Sequence, residues 1–368
     1  MLRSDVLACW NDPLLRDRLG WYYLVSRDQR PAKFLICRSI PTDLRLGSAD
    51  EERLWAEHLR LAGEFRTRFE RVSEGCEVDT SRFPQQSFLD IKAELLHRML
   101  AHCAFCEWRC RVNRARGDRK GACQMDATTR VATWFHHFGE EAPLVGAGGS
   151  GTVFFAGCVF RCAFCQNWDI SQDPSKGEKV DGRSLGAIMK TLREEGAANI
   201  NLVGGEPTPN VHTIVEGMNS LKINVPMLWN SDMYLTPETM NILTDLIDIW
   251  LPDFKYGNDK CALRLSKVMR YMEVTTRNHK LACETGDIIV RHLVLPNHLE
   301  CCTRPVLEWV AENCPRALVN VMDQYRPEYR VREEPGKYGD IARRPNWAEI
   351  AKARRCAEGL GLVWKPLS

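Results

Sequence analysis

Residues 152–165 read TVFFAGCVFRCAFC, and the next comparable segment, 199–206, reads NINLVGGE. Each is a short apolar run that ends in a loop carrying glycine and chemically reactive side chains. Four more runs repeat the arrangement: INVPMLW (223–229), IDIWL (247–251), DIIVRHLVL (287–295) and ALVNVM (317–322). Helical patterns lie between them, near 184–195, 210–220, 237–246, 259–272 and 304–313. Strand followed by helix, repeated, predicts βα units on a parallel sheet. Right-handed crossovers curl six such strands into a partial (β/α)6 TIM-like barrel of the α/β class. The loops after the strands then form the functional face. The polar residues fall in those loops: the cysteines of 158–165, Gly204-Gly205-Glu206, Asn230-Ser231-Asp232, Asp253-Phe254-Lys255 and Asp323-Gln324-Tyr325.

Cys158, Cys162 and Cys165 have C-x3-C-x2-C spacing within one loop. Three thiolates so placed hold three corners of a cubane iron–sulfur cluster and leave one iron open. An open metal position marks chemistry rather than structure. The competing readings are a zinc site completed by a distant histidine, or buried free cysteines. The position after a strand, Phe164 before the last cysteine, and the Gly-Gly-Glu loop one strand later favour the cluster.

GCVFRCAFCQNW with LVGGEPTP resembles the radical S-adenosylmethionine (SAM) superfamily. GSGTVFFAGC, CQNW, GGEPTP, LPDFKY, RHLVLP and MDQYRP together resemble proteins similar to the pyruvate formate-lyase activating enzyme, in a branch of uncharacterised iron–sulfur proteins. The resemblance spans roughly residues 103–363 and omits 1–100. It implies a [4Fe–4S] cluster on Cys158, Cys162 and Cys165, with SAM chelating the open iron. One electron would split the sulfonium bond and give a 5′-deoxyadenosyl radical that takes hydrogen from a substrate. The cofactor thereby supplies chemistry that side chains lack.

The same resemblance implies roles for single residues. Gly204, Gly205 and Glu206 would bind the SAM amino group, glycine allowing close backbone approach. Phe164 and Asn167 would flank the adenine. Asp253 and Lys255 would lie near the SAM carboxylate and the substrate as the catalytic pair, a structural ion pair being the alternative. Asn230, Arg291, Met322 and Gln324 complete the expected cofactor-binding set. Where the activating enzymes carry an aspartate this chain has Trp229, so no cation site carries over. His292 reads as a core residue. A low-potential donor, flavodoxin- or ferredoxin-like, would supply the electron. The substrate would be a protein, with glycyl-radical activation as the pattern, or alternatively a small molecule or peptide. A non-catalytic iron–sulfur or SAM-binding sensor is the reading from another class.

Cys103, Cys106, Cys110 and Cys123 form a second group before the barrel. Four thiols can close a zinc site or an auxiliary [4Fe–4S] cluster. Residues 103–123 also hold six Lys or Arg against Glu107 and Asp118, a net +4. Such a charge could attract an acidic protein partner or nucleic acid, but most such runs are solvated loops and no interleaved aromatic platform supports nucleic acid here. Of the other cysteines, adjacent Cys301 and Cys302 look poorly spaced for one metal, and Cys261, Cys283, Cys314 and Cys356 read as single and inert.

The chain divides into a mostly helical extension (1–100), a four-cysteine module (101–149) and the barrel (150–368). WYYLVS (21–26) and KFLICRSI (33–40) read as short strands. Ser48 to Glu51 reads as a capping box opening a helix to Val72, and Ser87 as the cap of a second. Fifty Lys and Arg against 48 Asp and Glu give no global field for nucleic acid. No apolar run is long enough to span a bilayer. No leader is evident, so the cysteines are expected in a reducing cytoplasm, where clusters of them hold metals.

Overall fold

In the computed structural model, which describes residues 4–80, 82–365 and 367, one eight-stranded sheet organises the chain. Its strands are β1 (Thr129–His137), β2 (Ser150–Phe155), β3 (Glu178–Val180), β4 (Ile200–Gly204), β5 (Met227–Ser231), β6 (Ile249–Pro252), β7 (Asp287–Leu293) and β8 (Leu318–Met322). The order is β3-β1-β2-β4-β5-β6-β7-β8. From β2 to β8 the neighbours pair in parallel. All six expected strands are present. The sequence reading missed β1 and β3, which extend the β2 edge in antiparallel pairing.

Helices Gly182–Glu194, Val211–Ser220, Pro237–Leu243 and Arg304–Asn313 occupy the expected crossovers. The helix expected over 259–272 is instead two, Asp259–Ser266 and Tyr271–Thr285. Lys267 (φ 61°) and Arg270 (φ 50°) adopt left-handed backbone between them, which an α-helix cannot contain.

The amino-terminal segment differs from expectation. WYYLVS and KFLICRSI are helices, Gly20–Ser26 and Lys33–Arg38. Short apolar runs buried on several sides carry no periodicity that separates strand from helix. Phe34, Leu35, Ile36 and Cys37 are all buried, as the second case requires. The long helix runs Glu51–Ser73, with Asp50 rather than Ser48 as its cap: Asp50 accepts from the Arg53 N–H at 2.8 Å. Ser87 does cap Phe88–Met99, through a box with Asp90.

These early helices close the bottom of the barrel. Inward residues at the amino-terminal ends of the strands, Leu228, Ile249, Ile289 and Leu318, cluster with Trp10, Leu15, Leu19 and Tyr22. Polar anchors fix the plug: the Tyr22 N–H donates to Asp287 (2.8 Å), Trp21 Nε1 to Asp248 (2.8 Å), and Asn199 Nδ2 to the Tyr22 hydroxyl (2.9 Å). Among the described residues no helix is long and apolar enough to cross a membrane.

Cys283 and Cys314, read as single cysteines, are joined in a disulfide between helix Tyr271–Thr285 and the end of Arg304–Asn313. Closing a loop of 31 residues stabilises a fold by about 3–4 kcal/mol in the chain-entropy treatment. Cys283→Ala/Cys314→Ala is therefore expected to lower the Tm, and reductant to lower the wild-type Tm but not that of the variant.

Candidate functional site

Side chains alternate along each strand, so inward positions recur every second residue. Past the apolar plug these positions turn polar, placing Asn230, Asp253, Arg291 and Met322 around the carboxy-terminal mouth. The cavity there has a volume of about 170 Å³ and is lined by all three cysteines of the 158–165 loop.

Cys158 and Cys162 are buried and Cys165 is half-buried. Each sulfur has a fixed neighbour. The Phe160 N–H donates to Cys158 Sγ (3.2 Å), Ser266 Oγ to Cys162 Sγ (2.9 Å), and Ser171 Oγ lies 3.3 Å from Cys165 Sγ. Burial pushes all three thiols up from their ordinary values, with Asp232 adding to the effect. A metal that takes the thiolates would displace those protons. Two buried sulfurs and a half-buried third, all lining one cavity, suit the three protein ligands of a cluster.

The Gly204-Gly205-Glu206 loop lines the same cavity. Gly204 sits at φ 118°, and a Cβ on Gly205 would lie 2.2 Å from the Gly157 carbonyl oxygen. Only glycine lets the loop pass against the start of the cysteine loop. The Glu206 carboxylate is buried and accepts from Ser231 Oγ (2.6 Å), the Asp232 N–H (2.9 Å), and Thr208 through both its N–H and its hydroxyl. Three of these bonds reach Oε1 and one reaches Oε2, which leaves one acceptor position on Oε2. Burial, then the Asp232 charge, push this carboxyl up to about 7.

A continuous ion network runs from the sulfurs across the cavity. Asp232 Oδ2 stands 3.7 Å from Cys158 Sγ. Lys255 Nζ donates to Asp232 Oδ1 at 2.6 Å and also to Asp253 Oδ2. Arg291 Nε donates to Asp253 Oδ1 at 2.7 Å and its Nη2 to Asn230 Oδ1, while Nη1 lies 3.9 Å from Glu140 Oε2. Burial alone would raise Asp253, but Arg291 and Lys255 hold it down at about 2. Burial would lower Lys255, but Asp232 and Asp253 hold it well above its ordinary value. Two cations thus flank one carboxylate that stays ionised.

Asp232 is the residue the sequence reading passed over. It was visible as part of a polar loop, yet nothing local tied it to Lys255, 23 positions away. Glu140, pushed up to about 8 by burial and then by Glu141, is a second omission. Phe164 is buried at the cavity edge with its ring 5.7 Å from that of Tyr325, and Asn167 is exposed at the mouth. Gln324 is not among the cavity residues. It lines a neighbouring cleft with Glu140, Glu141 and Asn320, which Met322 and Arg291 share. His292 is a satisfied core residue, bonded to the Phe254 carbonyl (2.8 Å) and Thr303 (2.9 Å).

The four upstream cysteines come together beside this face. Cys106 is held in its neutral form by burial first and then by Cys123, Cys103 and Cys110. The module is tied to the barrel loops: Trp108 Nε1 donates to the Val159 carbonyl (2.9 Å), the Glu107 N–H to Tyr234 O (3.1 Å), and buried Arg114 to Pro209 O (2.7 Å). Three of its six cations are engaged: Arg114 as above, Arg109 with Glu238 and Arg119 with Asp126.

Comparison with known proteins agrees with this geometry. Residues 152–310 match the model of the radical SAM superfamily. The chain is 40% identical over 352 residues to the uncharacterized protein MJ0674 of Methanocaldococcus jannaschii, covering 94% of this chain and 98% of that one. Among solved structures it is similar to Streptococcus suis SuiB bound to S-adenosylmethionine (TM-score 0.39, 15% identity, 55% of this chain and 44% of that chain). TYW1 with a lysine-pyruvate adduct bound is similar at TM-score 0.37 and 12% identity, over 56% of this chain and 73% of that chain.

Proposed function

The chain belongs to the radical SAM superfamily, and from that premise we propose that it cleaves SAM reductively to abstract hydrogen from a protein or peptide substrate. One observation carries the reading: Cys158, Cys162 and Cys165 share a single cavity with Glu206, Asp232, Lys255, Asp253 and Arg291. A [4Fe–4S] cluster held by the three cysteines, with SAM, would supply a 5′-deoxyadenosyl radical. The chain's own residues would bind and orient. Glu206 Oε2 offers its remaining acceptor position to the SAM ammonium, and Lys255 and Arg291 offer cations to its carboxylate. Phe164 gives the adenine an apolar wall, with Asn167 beside it. The plugged barrel bottom closes the far end of the cavity to water.

The protein-directed, activating-enzyme-like role rests on motif resemblance. A small-molecule substrate is the alternative, and deuterium moving from labelled candidates into 5′-deoxyadenosine separates the two. The reading includes a low-potential flavodoxin- or ferredoxin-like donor, a cytoplasmic setting, and a metal on Cys103, Cys106, Cys110 and Cys123. Protein reconstituted anaerobically with iron and sulfide is expected to release 5′-deoxyadenosine from SAM on reduction with dithionite. A cluster-replete sample that never does so points to a sensor and ends the proposal.

Glu206→Gln tests the ammonium contact. Hydrogen bonds to charged groups contribute about 1.5–3 kcal/mol, so SAM should bind about 10- to 150-fold more weakly. The pH profile adds a second readout. A carboxyl at about 7 must lose its proton to receive the ammonium. Wild-type affinity is thus expected to fall about tenfold per pH unit below that point, while Glu206→Gln stays flat. Equal slopes in both proteins would remove Glu206 from the SAM site.

A further inference from the structure

Cys261, His298, Cys301 and Cys302 fall outside everything described above, yet their donor atoms lie within 4.8 Å of one another. Cys301 and Cys302 read as too close in sequence to share a metal, because side chains one step apart on an α-helix diverge by about 100°. The structure removes that objection. Leu299–Thr303 is a π-helical turn, in which the His298 carbonyl accepts from both Cys302 (2.9 Å) and Thr303 (3.1 Å). The wider turn lets both sulfurs face His298. Cys261 arrives from the first turn of helix Asp259–Ser266, which Asn258 caps through the Cys261 N–H (2.8 Å).

Five of the six spacings are close to those of a tetrahedron, and the sixth, between the sulfurs of Cys261 and Cys302, is within 4.8 Å. Sulfur–sulfur distances are 4.0 Å for Cys261–Cys301 and 3.9 Å for Cys301–Cys302. His298 Nδ1 stands 3.6, 3.4 and 3.6 Å from the sulfurs of Cys261, Cys301 and Cys302. Tetrahedral zinc, with Zn–S near 2.3 Å and Zn–N near 2.0–2.1 Å, requires edges of about 3.8 Å between sulfurs and about 3.5 Å from sulfur to nitrogen. The four atoms therefore leave space between them for one ion.

The surroundings match. His298 Nε2 lies 3.0 Å from Asp340 Oδ2, the carboxylate partner that orients a ligating imidazole. Arg264 pairs with the same carboxylate (Nη1–Oδ1 3.0 Å), and its Nη2 sits 3.1 Å from Nε2. A Cβ on Gly257 would come within 2.8 Å of the Cys301 carbonyl oxygen, so glycine there lets β6's loop seat against the π-turn.

We propose that Cys261, His298, Cys301 and Cys302 bind one zinc ion in a closed, structural Cys3His site. The site holds helix Asp259–Ser266 against the π-turn. The far end of that helix carries the cysteine loop: the Arg161 N–H donates to Ser266 O (3.0 Å), the Ala163 N–H to Leu265 O (2.7 Å), and Ser266 Oγ to Cys162 Sγ (2.9 Å). The ion thus fixes the frame on which Cys162 is positioned.

Zinc and iron per chain, measured on full-length protein purified anaerobically, test this. Cys301→Ser is expected to lose one zinc per chain, in wild-type and in Cys110→Ser background alike. Cobalt(II) exchanged into the wild type should show tetrahedral thiolate absorption that Cys301→Ser lacks. Should Cys301→Ser fail to fold, Asp340→Asn decides, because loss of the carboxylate should weaken zinc retention against a chelator about 10- to 100-fold. Wild-type protein that binds neither zinc nor cobalt here would overturn the assignment. So would equal zinc in wild type and Cys301→Ser, or unchanged retention in Asp340→Asn.

Discussion

Cys162→Ala is expected to abolish 5′-deoxyadenosine release and to lower iron by about four per chain, while the protein stays folded. The fold survives because the change deletes one small buried group, costing about 1–2 kcal/mol. The function does not survive, because two thiolates hold a cubane too weakly. The Cys162 sulfur accepts from Ser266 Oγ, 2.9 Å away. Ser266→Ala removes that donor and leaves the sulfur, so it should keep the iron and retain turnover. Circular dichroism separates loss of cluster from loss of fold. Product release by Cys162→Ala at the wild-type rate would refute the assignment of the cluster.

Lys255→Met is expected to be the most destabilising single change in the cavity. Its ammonium, with a side chain 13% exposed, sits between Asp232 and Asp253. Breaking a buried pair from one side costs about 3–5 kcal/mol, because the partner charge stays buried without compensation. Arg291 still neutralises Asp253, so Asp232 is left exposed to the penalty. Burial already raises the Asp232 carboxyl and Lys255 opposes that rise. Without the lysine the folded-state value climbs further above the unfolded value of about 3.9, and the folded variant binds a proton that the unfolded chain releases. The deficit relative to wild type should therefore narrow as pH falls and widen as pH rises. Anaerobic thermal unfolding of both proteins across pH measures it. A constant deficit would mean that Asp232 does not depend on Lys255.

Much of the barrel was legible because its signals are local. TVFFA, NINLV and the four later runs each announce a strand within five to nine residues, and the reactive loops follow at once. β1 and β3 were not legible: they pair on the β2 edge in antiparallel fashion, outside the repeating βα pattern. KFLICRSI was misread because burial of every residue from Lys33 to Cys37 erases periodicity, and WYYLVS because the buried pair Tyr22 and Val25 is too short a pattern to identify a helix. Gln324, expected near the cofactor from its position after β8, lines a neighbouring cleft that shares Met322 and Arg291 with the cavity.

The sequence alone determined the donors in the 158–165 loop, the Gly-Gly-Glu turn after the following parallel strand and the parallel order of six strands, since spacing within a few residues fixes which atoms can reach one another. Tertiary structure alone decided which distant groups meet. It joined Asp232 to Lys255 and Arg291, bonded Cys283 to Cys314, seated Tyr22 under the barrel, and gathered Cys261 with His298, Cys301 and Cys302. The strand closure that brings these pairs together depends on the packing of the whole chain, and no window of sequence contains that information.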